Sequence, residues 1–319
     1  MDKILVARAI FPDLLDELKQ RFDVESNQED KIFGGAELRA KLSGKVAVLT
    51  TASEQIDSSA IASAPNLRAI CNMAVGYNNI DLHAAHEAGI TVTNTPDVLN
   101  ETTADFGWAL LMSTARRVTE AEHWLRAGNW KQWSYDSFLG QDVHGSTLGI
   151  IGMGRIGQAI ARRSIGFRMK VLYHNRSRLN PELEREANNA QYASKETLLK
   201  NADHVILVLP HNSNTHHTIS VAELGLMKPT ATLINLARGG IVDDQALIAA
   251  LQRKQLAAAG LDVFENEPNF NQAYLNLSNV VLTPHIASAS EPTRRAMAQC
   301  AIANMQSILA GGPPINAVL

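Results

Sequence analysis

Cysteine is nearly absent from this 319-residue chain, which has only Cys71 and Cys300, far apart in apolar stretches. Two distant cysteines exclude a disulfide-rich secreted scaffold, and we interpret both as reduced core thiols of a cytoplasmic protein. Apolar runs of the ~20 residues that a membrane-spanning helix needs are also absent. Arg8 and Asp13 interrupt the apolar start that a signal peptide would show. The net charge of −3 leaves no basic footprint for nucleic acid.

The most informative stretch is a glycine motif in the middle of the chain. An apolar run ending at Ile151 meets Gly152, Gly154 and Gly157 in a G-x-G-x-x-G spacing, and a helical pattern follows directly. The first glycine permits a tight turn, the second lets the backbone approach a pyrophosphate, and the third lets the helix pack on the strand. A purely structural glycine turn is the alternative. We predict a dinucleotide site formed by Gly152, Gly154, Arg155, Ile156 and Gly157.

The strand after this motif lacks the acid that usually binds the ribose of NAD, about 20 residues beyond the glycines. The chain instead reads Asn175, Arg176, Ser177 and Arg178, and the first acid is Glu182. Two guanidinium groups and a hydroxyl suit the extra ribose phosphate of NADP, although a solvated basic loop is the simpler alternative. We therefore predict NADP(H) as the preferred cofactor, with NAD(H) possible, and residues 175–178 as its contacts.

Strand and helix patterns alternate along both halves of the chain. The first hundred residues predict strands at 4–7, 46–50, 67–73 and 91–93, with helices at 12–22, 58–63 and 81–88. A second series begins at Ser146, with later strands at 205–209, 232–236, 257–261 and 280–283. Such alternation predicts an α/β fold of two doubly wound parallel sheets. Because no phosphate-type glycine turn follows the first strand, we do not expect the first unit to bind the cofactor.

Between the two series, one long helical pattern runs from about Asn100 to about Ala127 and ends at Gly128. The segment after it, residues 130–139, is irregular and rich in aromatic side chains. Exposure of so many aromatic rings to solvent is unfavourable, and we therefore expect them to pack against another surface. A partner subunit and the chain's own domain are both possible covers.

Polar residues follow the strands of the second unit, at the edge where a doubly wound sheet binds its ligands. His285 is a natural proton donor, Glu267 could hold its ring in one tautomer, and Arg238 could bind a carboxylate or polarise a carbonyl. Taken singly, each has an ordinary alternative as a loop cap, a solvated turn residue or a surface charge. The histidines within 211–217 are interpreted as a polar loop, and no metal site is predicted.

These motifs resemble the D-isomer-specific 2-hydroxyacid dehydrogenase family. The resemblance is carried by Gly152 to Gly157, Ile234 to Asp243, Ala259 to Pro268 and Pro284 to Ile286, in the family's order and spacing, and it extends over essentially the whole chain. The subset that reduces glyoxylate and hydroxypyruvate, or 2-ketogluconate, looks most similar. The stretch from Tyr173 to Arg178 resembles its NADPH-using members.

The resemblance implies a Rossmann cofactor domain at 100–287 and a discontinuous, flavodoxin-like substrate domain at 1–99 and 288–319. A helix from about Glu291 to Leu309 would return to the substrate domain. The family is usually a homodimer built on the region of the long helix, which is consistent with an aromatic segment that needs a cover. Ala287 and Asn78 depart from the family's frequent glycine and aspartate, but neither touches the expected chemistry.

The resemblance also implies roles for individual residues. His285 would be the acid/base, Glu267 its orienting partner, and Arg238 the group that binds the substrate carboxylate and carbonyl. Backbone N–H groups of Val75 and Gly76 would hold the same carboxylate. Asp262 would contact the nicotinamide amide, and the remaining contacts expected for the cofactor are Thr103, Leu209, Pro210, Ala237 and His285.

We therefore predict an enzyme that reduces a small 2-oxoacid to the D-2-hydroxyacid with NADPH, taking the proton from His285. Glyoxylate, hydroxypyruvate and 2-ketogluconate are the candidate substrates. A dinucleotide-sensing binding protein on the same fold, similar to a corepressor, is the alternative, and a member acting on formate or phosphite is a weaker one. Neither a nucleic acid nor a membrane is expected as a partner.

Overall fold

The computed structural model describes residues 1–318, which form two α/β units. The first unit comprises Met1–Leu99 and the chain from Ala289 to the end of the described residues. The second unit is Asn100–Ser288.

The elements of the first unit begin with short strands that alternate with short helices. They are β1 (Lys3–Val6), α1 (Pro12–Lys19), β2 (Asp23–Ser26), α2 (Gly35–Leu42), β3 (Ala47–Thr50), α3 (Ser58–Ala62), β4 (Ala69–Asn72), α4 (Leu82–Glu87) and β5 (Thr91–Thr93).

The second unit continues the numbering and adds 3₁₀ turns at Ser164–Phe167 and Gln272–Asn276. Its elements, followed by the last helix of the first unit, are α5 (Asn100–Ala115), α6 (Val118–Arg126), β6 (Thr147–Ile151), α7 (Arg155–Arg163), β7 (Lys170–His174), α8 (Pro181–Glu186), β8 (Gln191–Tyr192), α9 (Lys195–Asn201), β9 (His204–Leu207), α10 (Val221–Leu226), β10 (Thr232–Asn235), α11 (Asp244–Gln252), β11 (Ala258–Leu261), β12 (Val280–Leu282) and α12 (Glu291–Leu309).

The sheet of the first unit has five parallel strands in the order β2-β1-β3-β4-β5, which is the flavodoxin-like order. Its central strands are buried on both faces, as their apolar sequences require in a parallel sheet. One core packs under α1 and α12, and the other under α2, α3 and α4. β2 and α2 are not among the elements predicted from the sequence, because β2 is a polar edge strand and α2 begins at two glycines without a side-chain cap.

The sheet of the second unit has seven parallel strands in the order β12-β11-β10-β9-β6-β7-β8. The direction of winding reverses between β6 and β9, so the ligand crevice of this sheet is expected outside the carboxyl ends of these two strands. The glycine motif follows β6, and Leu209 and Pro210 follow β9. Sequence and topology therefore place the motif at the switch point of its sheet.

The prediction of one long helix after residue 100 was wrong, because the chain breaks between α5 and α6. Arg117 adopts a left-handed backbone conformation with φ 54°, which a continuous helix does not permit. The carbonyl of Ala115 accepts the N–H of Gln141 at 2.7 Å instead of a bond from the next helical turn. Arg117 then pairs with Glu120 inside α6 at 2.8 Å. A contact distant in sequence thus ends α5.

Most of the aromatic segment 130–139 is exposed, although the ring of Phe138 packs edge-on against Trp124 of α6 with centroids 5.3 Å apart. Trp133 and Tyr135 are 75% and 86% exposed, and Leu139 is 67% exposed. The neighbouring helix α6 has no buried residue. Of the two alternatives for this segment, a partner subunit or the chain's own domain, the structure does not show packing under its own domain.

None of the helices within residues 1–318 is both long enough and apolar enough to cross a membrane.

Candidate active site

The glycine turn after β6 has the shape that a bound pyrophosphate needs. Gly152 has φ +101°, and a Cβ there would lie 2.7 Å from the carbonyl carbon of Val208. A Cβ on Gly157 would lie 2.3 Å from the carbonyl oxygen of Gly152, so α7 packs closely on the turn. Gly154 has no atom within 4 Å of its Cβ position, which leaves an open face beside the N-terminus of α7. The residues present therefore fit a dinucleotide phosphate.

Asn175, a predicted cofactor contact, is bound to this turn. Its Oδ1 accepts the N–H of Met153 at 2.7 Å, and the N–H of Gly152 donates to the carbonyl of His174 at 3.0 Å. Both bonds tie the end of β7 to the glycine turn. Asn175 thus supports the shape of the dinucleotide site from the neighbouring strand, a role that sequence reasoning missed.

The two arginines after β7 differ in their surroundings. Arg178 forms a two-pronged ion pair with Glu184 of α8, with N–O distances of 2.8 and 2.9 Å. The hydroxyl of Tyr173 donates to the same carboxylate at 2.7 Å. These bonds, first from Arg178 and then from Tyr173, lower the pKa of Glu184 to about 2. Both arginines are exposed, and Arg178 differs from Arg176 in its ion pair with Glu184 of α8.

The predicted contacts Leu209 and Pro210 follow β9 and lie beside the glycine turn, because the Cβ position of Gly152 is 2.8 Å from the nitrogen of Leu209. Thr103 lies on α5 and is buried. The structure thus brings Leu209 and Pro210 to the switch point. A side chain at position 152 would clash with the loop that carries them.

Arg238 lies in the loop after β10, which an asparagine of the strand braces. Asn235 accepts the N–H of Ala237 at 3.0 Å and donates to the carbonyl of Arg238 at 3.2 Å. The guanidinium donates to the carbonyl of Ala237 at 2.7 Å. Burial lowers the pKa of Arg238, partly offset by the charge of Glu267, although a guanidinium remains charged at neutral pH. A poorly hydrated cation of this kind suits binding of a substrate anion.

His285 and Glu267 are brought together from loops that are 18 residues apart in sequence. Nδ1 of His285 lies 2.8 Å from Oε2 of Glu267, and Oε1 of Glu267 accepts the N–H of Phe264 at 2.7 Å. A carboxylate only accepts, so this bond places the hydrogen on Nδ1 and leaves Nε2 to exchange a proton. The side chains of His285 and Glu267 are 37% and 33% exposed, so a substrate can reach the pair.

Asp262, at the end of β11, fastens the loop that carries His285. Its Oδ1 accepts the hydroxyl of Thr283 and the N–H of Ile286, both at 2.8 Å, and its Oδ2 accepts the N–H of Ala287 at 2.9 Å. The side chain is fully buried, and burial raises its pKa. Asp262 was predicted only as a cofactor contact, and its second role in shaping the loop around His285 was not predicted.

The histidines of residues 211–217 form a chain of contacts beside this edge. Nε2 of His211 lies 3.4 Å from Nδ1 of His216, and the rings of His216 and His217 stack with centroids 3.8 Å apart. His217 is bound to Glu265. Within residues 1–318, no three histidine, cysteine or acidic side chains are arranged to hold a metal ion.

Val75 and Gly76 lie in the first unit, in the loop after β4. The side chain of Asn94 donates to the carbonyl of Val75, and the buried side chain of Asn72 donates to the carbonyl of Gly76, both at 2.8 Å. These two bonds fix the orientation of the peptide groups. A fixed orientation is what a backbone anion site requires.

An open glycine turn at the switch point, a histidine–carboxylate pair and a half-buried arginine, all at the carboxyl edge of one sheet, define a dinucleotide-dependent oxidoreductase. Comparison with known proteins supports this class. Residues 108–287 match the family model for the D-isomer specific 2-hydroxyacid dehydrogenase, NAD binding domain. The chain belongs to the D-isomer-specific 2-hydroxyacid dehydrogenase family, and the prediction made from its motifs is confirmed.

Individual relatives match over nearly their whole length. A glyoxylate reductase of Thermococcus gammatolerans is 46% identical over 316 residues, which cover 98% of this chain and 94% of the relative. A glyoxylate reductase structure from Paecilomyes thermophila superposes with a TM-score of 0.89 at 32% identity, covering 99% of this chain and 98% of that one. An NADPH-dependent glyoxylate/hydroxypyruvate reductase from Sinorhizobium meliloti, solved with NADP and malonate, gives 0.87 at 34% identity, with coverages of 99% and 96%. The predicted two-sheet α/β fold is confirmed by such neighbours.

Proposed function

We propose that this protein reduces glyoxylate to the 2-hydroxyacid with NADPH, and that hydroxypyruvate and 2-ketogluconate are further candidate substrates, each giving its D-2-hydroxyacid. The observation that carries the proposal is the bond between His285 and Glu267, on the same strand-end edge as Arg238 and the open glycine turn. The names of the relatives, which include glyoxylate reductases, support the choice of substrate.

The proposed cofactor site uses the glycine turn from Gly152 to Gly157 for the pyrophosphate and Arg176 with Ser177 for the ribose phosphate. When bound, the nicotinamide supplies a hydride to C2 of the 2-oxoacid. The preference for NADPH is supported by the exposed Arg176 and by the absence of an acid directly after β7. The remaining proposed contacts are Thr103, Leu209, Pro210, Ala237, Asp262 and His285.

The chain's own residues then bind the acid and move a proton. Arg238 binds the carboxylate and polarises the carbonyl. The backbone N–H groups of Val75 and Gly76 are further proposed contacts of the carboxylate. Nε2 of His285 donates a proton to the oxygen that becomes the new hydroxyl. Glu267 accepts a hydrogen bond from the other ring nitrogen and so fixes the tautomer and the orientation of the ring for this transfer.

We also propose that the protein is a homodimer and that the aromatic segment 130–139 lies in its interface. The support is the exposure of Trp133, Tyr135 and Leu139 together with that of Val118 and Leu125 on α6. Contiguous exposed apolar groups of this kind mark interaction surfaces. Sedimentation velocity should show a species of twice the chain mass, and Trp133→Ser with Tyr135→Ser should shift it toward the monomer. A wild-type protein that sediments as a monomer would contradict this proposal.

The test of the reaction is nicotinamide oxidation by the purified protein, with NADPH and NADH in parallel, against the three candidate acids. The proposal expects turnover of glyoxylate with NADPH above NADH. Turnover that favours NADH would retain the reaction and overturn the cofactor preference. No turnover of any of the acids, by protein that binds the dinucleotide, would overturn the proposed reaction.

A further inference from the structure

A second histidine–glutamate bond lies close to the first and has no part in the proposed proton transfer. Nε2 of His217 is 2.6 Å from Oε1 of Glu265, which precedes Glu267 by two residues in the loop 262–268. The side chains of His217 and Glu265 are 36% and 28% exposed. We propose that His217 is a positioning residue, and that its bond to Glu265 holds the loop 262–268 so that Glu267 stays in place against His285. The kinetic part of this inference rests on the proposed function.

The backbone of His217 is bound to a third loop. Its N–H donates to the carbonyl of Gly240 at 2.7 Å, next to the loop that carries Arg238. Its φ is 49°, a left-handed value that few residues other than glycine adopt. A conformation of this kind persists only where surrounding contacts over-determine it. His217 therefore joins the loop after β10, through its backbone, to the loop after β11, through its side chain.

The two loops that His217 joins lie directly on one another. A Cβ on Gly239 would lie 1.7 Å from the carbonyl oxygen of Phe264, so no side chain fits between them. The N–H of Phe264 in turn donates to Glu267 at 2.7 Å. A shift of the loop at Glu265 is thus transmitted to Phe264 and Glu267, and from Glu267 to His285.

Packing limits how far the loop can move when this bond is lost. The ring of Phe264 lies 4.7 Å from that of Phe270 and 6.1 Å from that of Tyr274, both measured between centroids. These apolar contacts remain in a variant of His217. The expected change is therefore a small displacement of Glu267, with a loss of rate smaller than that for removing His285 itself.

The chain allows the side-chain contact to be separated from the backbone conformation. In His217→Asn the residue tolerates a left-handed φ, but its amide is too short to reach Glu265. In His217→Gln the terminal amide nitrogen can take the position of Nε2. We expect kcat for glyoxylate to fall about 10-fold in His217→Asn and to recover to within about threefold of wild type in His217→Gln. The dissociation constant of NADPH, measured by its fluorescence, should stay within about twofold in both.

A matched control removes a similar ion pair at the opposite edge of the same sheet. Lys228 lies 2.7 Å from Asp203, the residue directly before β9, and the two side chains are 37% and 34% exposed. Lys228→Met should lower the melting temperature without lowering kcat. Hydrogen exchange of the peptide 262–268 should be faster than wild type in His217→Asn and unchanged in Lys228→Met.

The outcomes separate this inference from the proposed function. If wild type reduces glyoxylate and His217→Asn keeps kcat within about twofold, or if exchange of 262–268 does not change, the positioning role of His217 is wrong. A fall in kcat for His217→Gln as large as that for His217→Asn would also overturn it. If wild type reduces none of the candidate acids, the proposed function fails, and the exchange measurement still decides whether His217 holds the loop.

Discussion

The two sheets of this protein share parallel strands and flanking helices, but they differ in the side chains at their carboxyl edges. The seven-stranded sheet carries His285, Glu267 and Arg238, which can transfer a proton, orient the histidine ring and bind an anion, respectively. The five-stranded sheet carries Asn72 and Asn94, which hold peptide groups in place. The same architecture thus supplies chemistry at one edge and a rigid backbone at the other, because function depends on the residues of the site and not on the fold.

The loops after the first strand of each sheet make the same contrast. The turn after β6 is open at Gly154. After β1 the corresponding loop carries Arg8, whose guanidinium is bound to Asp30 at 2.8 Å and lies 3.6 Å from the buried Glu54. An arginine already paired with two carboxylates is less available to bind a phosphate at that position. We expect substitutions at the edge of the seven-stranded sheet to lower kcat/KM, and substitutions at the edge of the five-stranded sheet to raise KM.

The largest effect among the binding groups is expected at Arg238. Arg238→Lys keeps a positive charge but loses the planar fork that binds a carboxylate with two bonds. We expect kcat/KM for glyoxylate to fall about 10²–10³-fold, as for other losses of a charge-stabilising donor. Steady-state kinetics with saturating NADPH would check this. A fall of less than about fivefold would show that the arginine does not contact the substrate.

A change at the five-stranded edge should act on binding alone. Asn72→Ala removes the bond to the carbonyl of Gly76, so the peptide groups that we propose bind the carboxylate lose their fixed orientation. We expect KM for glyoxylate to rise about 10-fold with kcat within about threefold. The control is Asn27→Ala, which removes another buried asparagine of the same unit that binds backbone carbonyls. If both variants raise KM equally, the effect belongs to the stability of the unit.

The cofactor preference should depend on one arginine of the pair after β7. Arg176→Ala should lower the preference for NADPH over NADH about 10-fold, since it removes an exposed cation from the proposed phosphate site. Arg178→Ala should change that ratio by less than about threefold, because Arg178 is already bound to Glu184. Ratios of kcat/KM for the two nucleotides would decide this. Equal losses in the two variants would contradict the separation of their roles.

The smallest effect concerns stability at low pH. The pKa of Glu184 is lowered from 4.5 to about 2 by its bonds to Arg178 and Tyr173. A carboxyl with a lowered pKa in the folded state stabilises fully above its unfolded pKa and loses this contribution as pH falls through the folded value. The melting temperature of wild type should therefore fall between about pH 4.5 and pH 2, and less steeply in Glu184→Gln. Parallel curves for the two proteins would contradict this assignment.

The elements that sequence reasoning placed correctly are those with a local signal. The strand before the glycine motif and the helix after it follow from apolar spacing and glycine chemistry. The last helix, Glu291–Leu309, was expected only from the family resemblance. The break at Arg117 could not be predicted in this way, because it depends on Gln141, which bonds to Ala115 from a distant loop.

The site shows the same limit. The residue types at the strand ends indicated His285, Glu267 and Arg238, because parallel strands bring their carboxyl ends to one edge. The bond of Arg178 to Glu184, and the three bonds that Asp262 accepts from residues 283–287, depend on how loops pack. The spacing of residues along the chain does not predict such contacts. Each adds a structural contact to a residue for which only a cofactor contact was predicted.

The measurement that tests the central claim most directly is glyoxylate reduction by His285→Gln beside wild type, with NADPH binding followed in the same samples. If His285 donates the proton, kcat falls about 10²–10⁴-fold while the dissociation constant of NADPH changes little. A variant that retains kcat within a few-fold of wild type would show that the proton comes from another group, and that the pair of His285 and Glu267 does not carry the chemistry.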